Sequence, residues 1–188
     1  MKFALITPTG VAIAALAAMS PAVAQDADTL EAQVQTEDGT DAGSVTFEQV
    51  EHGVVVTARL QNLPEGPHGF HIHETGACEP TFQAAGGHYS PRETVHGFDS
   101  PEGYHAGDLP NVYVAADGTA TADFFAPHLT LEEQDDNDDD GDSSPFTLRD
   151  ADGSAIMVHA QIDDYRAETA DSTGPRIACG VIVPNEAD

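Results

Sequence analysis

From position 30 onward, apolar residues recur at every second place along the chain. Leu30, Ala32 and Val34 alternate with polar neighbours, Val45 and Phe47 do the same, and Val54-Val55-Val56-Thr57-Ala58-Arg59-Leu60 is a β-branched run. A period of two sends alternate side chains to opposite faces, so each stretch predicts a strand with one face buried. Gly69–His73, Asn111–Ala115, Thr119–Phe125, Ala155–His159 and Ile177–Val183 read the same way. Asp38-Gly39, His52-Gly53, Asn62-Leu63-Pro64 and Asp117-Gly118 supply turn residues between them. No stretch holds a helical period of useful length. The pattern predicts an all-β domain, an eight-stranded antiparallel Greek-key β-sandwich or flattened barrel. Two connections, Glu74–Pro110 and Gln161–Arg176, are too long to be turns, and loops of that length in a compact domain usually carry function.

The start of the chain follows a different rule. Met1-Lys2 is a short positive beginning, Phe3–Met19 is nearly uncharged and apolar, and Ala22-Val23-Ala24 places small residues where a signal peptidase reads. Pro8, Gly10 and Pro21 interrupt the stretch, which is short for a membrane span. The expectation is a cleaved signal peptide over 1–24 and a single domain over 25–188, periplasmic or secreted, with no membrane association after cleavage. Without Lys2, five arginines face 33 acids, a net charge of −28 with no lysine. Phosphate recognition needs basic clusters, so nucleic acid is excluded as a partner. The acids are spread through strand-patterned segments, which predicts a folded acidic surface suited to salty surroundings, and the dense run Glu132–Asp142 predicts a solvated loop. Cys78 and Cys179 are an even pair in an exported chain, which favours a disulfide over two buried thiols.

Candidate chemistry lies in the nine histidines. His71 and His73 sit two apart on a strand and leave the same face, a common metal half-site but also an ordinary pair of exposed strand histidines. His88 after Gly86-Gly87, His96 before Gly97, His105, and Asp108 fall on one Gly-rich loop. Three imidazoles and a carboxylate from that loop suit tetrahedral Zn²⁺. His159 ends a separate strand, and with His71 and His73 it would make an all-imidazole site suited to copper. His52, His68 and His128 fit neither set and read as surface or strand-end residues; Tyr89 and Tyr104 read as packing beside the ligands.

Together, Gly69-Phe70-His71-Ile72-His73-Glu74, Ala85-Gly86-Gly87-His88-Tyr89-Ser90-Pro91, His96-Gly97, His105-Ala106-Gly107-Asp108-Leu109-Pro110-Asn111, Val158-His159 and Gly174-Pro175-Arg176-Ile177-Ala178-Cys179-Gly180-Val181-Ile182 resemble the copper/zinc superoxide dismutase family, from about Thr29 to Val183. The short spacing from His73 to Cys78 resembles its bacterial branch. The resemblance implies copper on His71, His73, His88 and His159, and zinc on His88, His96, His105 and Asp108, with His88 bridging the two metals. It implies a Cys78–Cys179 disulfide and an arginine, Arg176, that positions the superoxide anion. Asp163 would link a copper-ligand histidine to a zinc-ligand histidine, with Asp164 as the neighbouring alternative. The implied reaction cycles Cu(II) and Cu(I), turning superoxide into dioxygen and hydrogen peroxide, with His88 and Arg176 as catalytic residues. A non-catalytic copper-binding or delivery module on the same fold is the alternative, and the family includes both monomers and homodimers.

Overall fold

A computed structural model of the chain describes residues 28–92, 94–133, 145–166 and 173–185. The expected leader and most of the acidic run lie outside the described residues. No helix among the described residues is long and apolar enough to cross a membrane.

Ten strands follow in order: β1 (Thr29–Thr36), β2 (Asp41–Val50), β3 (Gly53–Leu60), β4 (Gly66–His73), β5 (Asp108–Val114), β6 (Ala120–Ala126), β7 (Leu129–Thr130), β8 (Phe146–Thr147), β9 (Ser154–His159) and β10 (Arg176–Val183). Eight of them form one antiparallel sheet in the order β5-β4-β9-β10-β1-β2-β3-β6, while β7 and β8 make a separate two-residue parallel pair. The chain runs β1-β2-β3 as a meander, crosses to build β4-β5 on the far side, and returns to lay β6 beside β3. That crossing is the Greek key, and the sheet curls into the nearly closed barrel that the alternation predicts. Inward residues fill it, including Leu30, Val34, Phe47, Val56, Phe70, Ile72, Ile156 and Val158, all nearly or fully inaccessible to solvent.

The strand bounds differ from the sequence reading most at β4, which begins at Gly66 rather than Gly69, and at β5. β5 begins at Asp108 rather than Asn111, because Pro110 sits on an edge strand, where a missing donor is tolerated. The 74–107 loop also contains a four-residue 3₁₀ turn, Phe82–Ala85, too short to leave a period. Its Phe82 and Ala85 pack on Ala155, Met157 and Cys179, a second small core on the outer face of β9 and β10. A disulfide joins Cys78 to Cys179 and fastens the loop to β10.

Candidate metal centre

Along β4, His68, Phe70 and Ile72 share the phase that points into the barrel, which leaves His71 and His73 on the outer face. They are not exposed strand histidines: both are 0% accessible, because the 74–107 loop folds back over them. The loop is stitched to the strand end by backbone hydrogen bonds, Glu74 N–H to Gly87 C=O, Tyr89 N–H to Ile72 C=O and Ile72 N–H to Gly107 C=O. Gly86 adopts φ +71°, and a Cβ there would meet the Glu74 carboxylate at 2.5 Å, so only glycine fits this return. β9 pairs with β4 in a register that sets Met157 opposite His71 and Ala155 opposite His73, which brings His159 to the same outer face.

His71, His73, His88 and His159 each offer one donor atom, all within 4.8 Å of one another, and His88, His96, His105 and Asp108 form a second such group. His88 belongs to both. Two observations test whether these residues suit metals. His71 donates Nε2–H to Asp163 at 2.8 Å, while its buried Nδ1 has no hydrogen-bond partner. An orphaned buried polar atom costs about 1–3 kcal/mol, a cost that coordination by a cation removes. In the second group, Nδ1 of His88, His96 and His105 lie 2.9, 3.0 and 3.3 Å from one oxygen of Asp108, and the Nδ1 atoms of His88 and His105 are 3.4 Å apart. Donors about 2.0–2.1 Å from a tetrahedral Zn²⁺ stand roughly 3.3 Å from each other, so the residues fit that ion. The other Asp108 oxygen accepts the Gly97 and His105 N–H groups, which aims the first at the imidazoles.

Asp163 joins the two groups from behind, accepting from His71 Nε2 at 2.8 Å and His96 Nε2 at 3.0 Å. Asp164 instead accepts the Arg166 backbone N–H at the surface. Arg176 opens β10 and donates from its two terminal nitrogens to Phe82 C=O and Gly86 C=O, each at 2.6 Å. Gly86 C=O also accepts from His73 Nδ1 at 3.1 Å. His68, read from sequence as a surface or strand-end residue, is 3% exposed and ties Pro64 C=O to His159 C=O through its ring nitrogens. Its phase with Phe70 and Ile72 was the available signal. Tyr89 is buried with its hydroxyl on Thr147 C=O, a packing role as read. His128 is exposed and touches the Tyr104 hydroxyl.

Burial governs the protonation of the cluster. It holds His88 down to about 4, with the Asp108 hydrogen bond opposing and His71 reinforcing the shift. It lowers His159 to about 3, again reinforced by His71. His73 lies well below its ordinary value through burial and the charges of His88 and Arg176. Burial opposes the charge on His96 too, but hydrogen bonds to Asp108 and Asp163 win and raise it to about 10. Burial likewise works against the carboxylates, yet their histidine hydrogen bonds hold Asp108 and Asp163 far below the usual range.

The metal-free protein is therefore expected to lose stability as pH falls from 7 to 4.5. Once unfolded, His73, His88 and His159 bind protons below about 6.5, whereas in the fold they stay neutral until far lower pH. The unfolded state gains protons in that window and is favoured. Asp108 and Asp163 add to the loss only below the ordinary carboxylate value of 3.8, so their contribution is still present at pH 4.5. His96 has the opposite sign: its contribution is complete below about 6.5 and disappears as pH rises through about 10. Urea unfolding of chelator-treated protein at pH 4.5, 7 and 9.5 should give a maximum near neutrality. A midpoint higher at pH 4.5 than at 7 contradicts the buried neutral imidazoles.

Comparison with known proteins agrees with this geometry. The chain matches the copper/zinc superoxide dismutase (SODC) family over residues 41–182. It is 42% identical to superoxide dismutase [Cu-Zn] of Caulobacter vibrioides over 153 residues, covering 80% of this chain and 83% of that one. It is 35% identical to superoxide dismutase [Cu-Zn] 2 of Aquifex aeolicus over 176 residues, covering 93% and 97%. Among solved structures it resembles a superoxide dismutase-like protein from Bacillus subtilis, with a TM-score of 0.71 and 35% identity over 81% of this chain and 97% of that one. Cu/Zn superoxide dismutase from Brucella abortus gives a TM-score of 0.64 at 27% identity, covering 82% and 99%. On sequence, fold and the two histidine-rich groups sharing His88, the chain belongs to the copper/zinc superoxide dismutase family.

Proposed function

We propose that residues 25–188, after loss of the leader, form an exported superoxide dismutase of the bacterial type. It converts two superoxide anions and two protons into dioxygen and hydrogen peroxide. Copper would be held by His71, His73, His88 and His159, and zinc by His88, His96, His105 and Asp108. The observation that carries the reading is His88 shared by two complete four-ligand groups. Bound copper supplies a centre that alternates between Cu(II) and Cu(I), and bound zinc supplies a fixed Lewis acid. Arg176 binds and orients the anion with a charge held in place by two carbonyls. His88, the residue common to both groups, is the ring placed between them and the one that would carry a proton to the product. Asp163 fixes the orientation of His71 and His96. The disulfide supports an oxidising compartment, periplasmic or extracellular.

Metal analysis of the exported protein with a stopped-flow superoxide assay tests the reading. One copper and one zinc per chain with rapid superoxide consumption is the expected result; full metal without consumption favours the non-catalytic copper-binding alternative. Salt adds a second readout. A net charge of −28 repels superoxide at long range while Arg176 attracts it nearby. Raising ionic strength from about 0.01 to 0.1 M shrinks the Debye length from about 30 to 10 Å and so acts most on the distant repulsion. The rate should hold or rise; a steep monotonic fall means that local steering dominates.

A further inference from the structure

Tyr165 holds φ +61°, a left-handed conformation that a bulky aromatic residue keeps only where its surroundings impose it. Every polar group it carries is engaged next to the two histidine groups. Its N–H donates to the same Asp163 oxygen that receives His96 Nε2, at 2.8 Å. Its carbonyl accepts the Asp99 N–H at 3.0 Å and lies so close to Gly97 that a Cβ there would stand 2.4 Å away. Gly97 follows His96 directly, and its own N–H donates to Asp108. The phenol oxygen accepts the Asn111 N–H at 2.9 Å and the Asn111 side-chain amide at 2.6 Å. Asn111, buried on β5, returns both ends of its amide to the Asp163 backbone, Nδ2 to C=O at 2.9 Å and Oδ1 from N–H at 2.8 Å.

We infer that Tyr165 is a positioning residue for both metal groups, acting through Asn111 and Asp163 on His71 and His96, and through Gly97 on Asp108. The inference rests on the metal-binding reading above. Asp163 reaches one histidine of each group, so any freedom in its backbone is felt at both. Asn111 removes that freedom, and the Tyr165 hydroxyl satisfies two Asn111 donors that otherwise face a buried site without partners.

The test uses the copper- and zinc-loaded full-length mature protein and its Tyr165→Phe variant, which removes one oxygen and keeps the ring. Zinc release is followed at neutral pH with a chromogenic zinc chelator, alongside the copper EPR spectrum. Tyr165→Phe should release zinc about fivefold faster, less than the loss of a direct hydrogen-bond partner of a ligand, because the hydroxyl acts through Asn111 and Asp163. Tyr113→Phe, changing an exposed tyrosine on the same strand as Asn111, should match wild type. In an Asn111→Ala background, Tyr165→Phe should add less than twofold, because the route through Asn111 is already broken. A Tyr165→Phe protein that melts lower yet releases zinc at the wild-type rate shows a merely structural role and overturns the inference. A wild-type chain that holds no zinc overturns the metal reading and this inference with it.

Discussion

Arg176→Ala is expected to lower kcat/KM for superoxide about a hundredfold at unchanged copper and zinc content. The magnitude is that of losing one preorganised donor and its charge from a partly buried site. Arg176 is held for this purpose by carbonyls of two residues in the 82–86 segment, at 2.6 Å each, so its orientation is set before substrate arrives. Its charge already reaches the cluster, because it helps push His73 and His159 below their ordinary values. The described residues contain no lysine, Arg92 stacks on Phe146, and Arg149 donates to Leu131 C=O near the β7–β8 pair. Arg176→Lys keeps the charge and loses the fork, so its rate should fall between wild type and alanine. The salt profile gives a further check, since without the local cation the alanine variant should speed up more steeply as screening relieves the repulsion of the acidic surface. An alanine variant with the wild-type rate would remove Arg176 from the reaction.

Much of the barrel was legible because a half-buried strand must alternate. Leu30-Ala32-Val34 and Val54–Leu60 announce strands without any knowledge of their partners. Their order was not in the periodicity, since pairing β4 with β9 or β3 with β6 joins segments far apart in the chain. The loop histidines and Asp108 were legible because a glycine-rich segment holding three imidazoles and a carboxylate has few structural uses. Asp163 follows only from the family pattern, and the hydrogen bonds of the folded chain separate it from Asp164.

His68 shows a signal present but unused. Its spacing from Phe70 and Ile72 places it inside the barrel, where its two ring nitrogens find two carbonyls. Tyr165 and Asn111 gave no such signal. They are 54 residues apart, and what joins them is a left-handed backbone turn beside a strand edge, which neither propensity nor spacing encodes. The parts of the site that were missed hold Asp163 or the His159 backbone rather than being candidate ligands, and their importance depends on tertiary contact alone.

Replacing both cysteines, Cys78→Ser with Cys179→Ser, should lower the unfolding free energy by about 3–5 kcal/mol. The bridge spans 101 residues, and in the chain-entropy model a loop of that size is worth about 4.7 kcal/mol. Against a typical total of about 5–15 kcal/mol, that is a large share, so the variant is best studied cold. The effect should extend beyond stability. Cys179 lies on the strand that begins with Arg176, and Cys78 leads into the segment whose Phe82 and Gly86 carbonyls hold the guanidinium. The bridge therefore fixes the distance between the cation and its two acceptors. Urea unfolding measures the first effect, and superoxide consumption by the folded variant measures the second, which should reproduce part of the Arg176→Ala loss. Adding Arg176→Ala to the serine variant should then cost less than it does in wild type, since coupled residues are not additive. A serine variant that unfolds more easily but keeps the full wild-type rate shows that Phe82 and Ala85, packed on Met157, hold the carbonyls without the bridge.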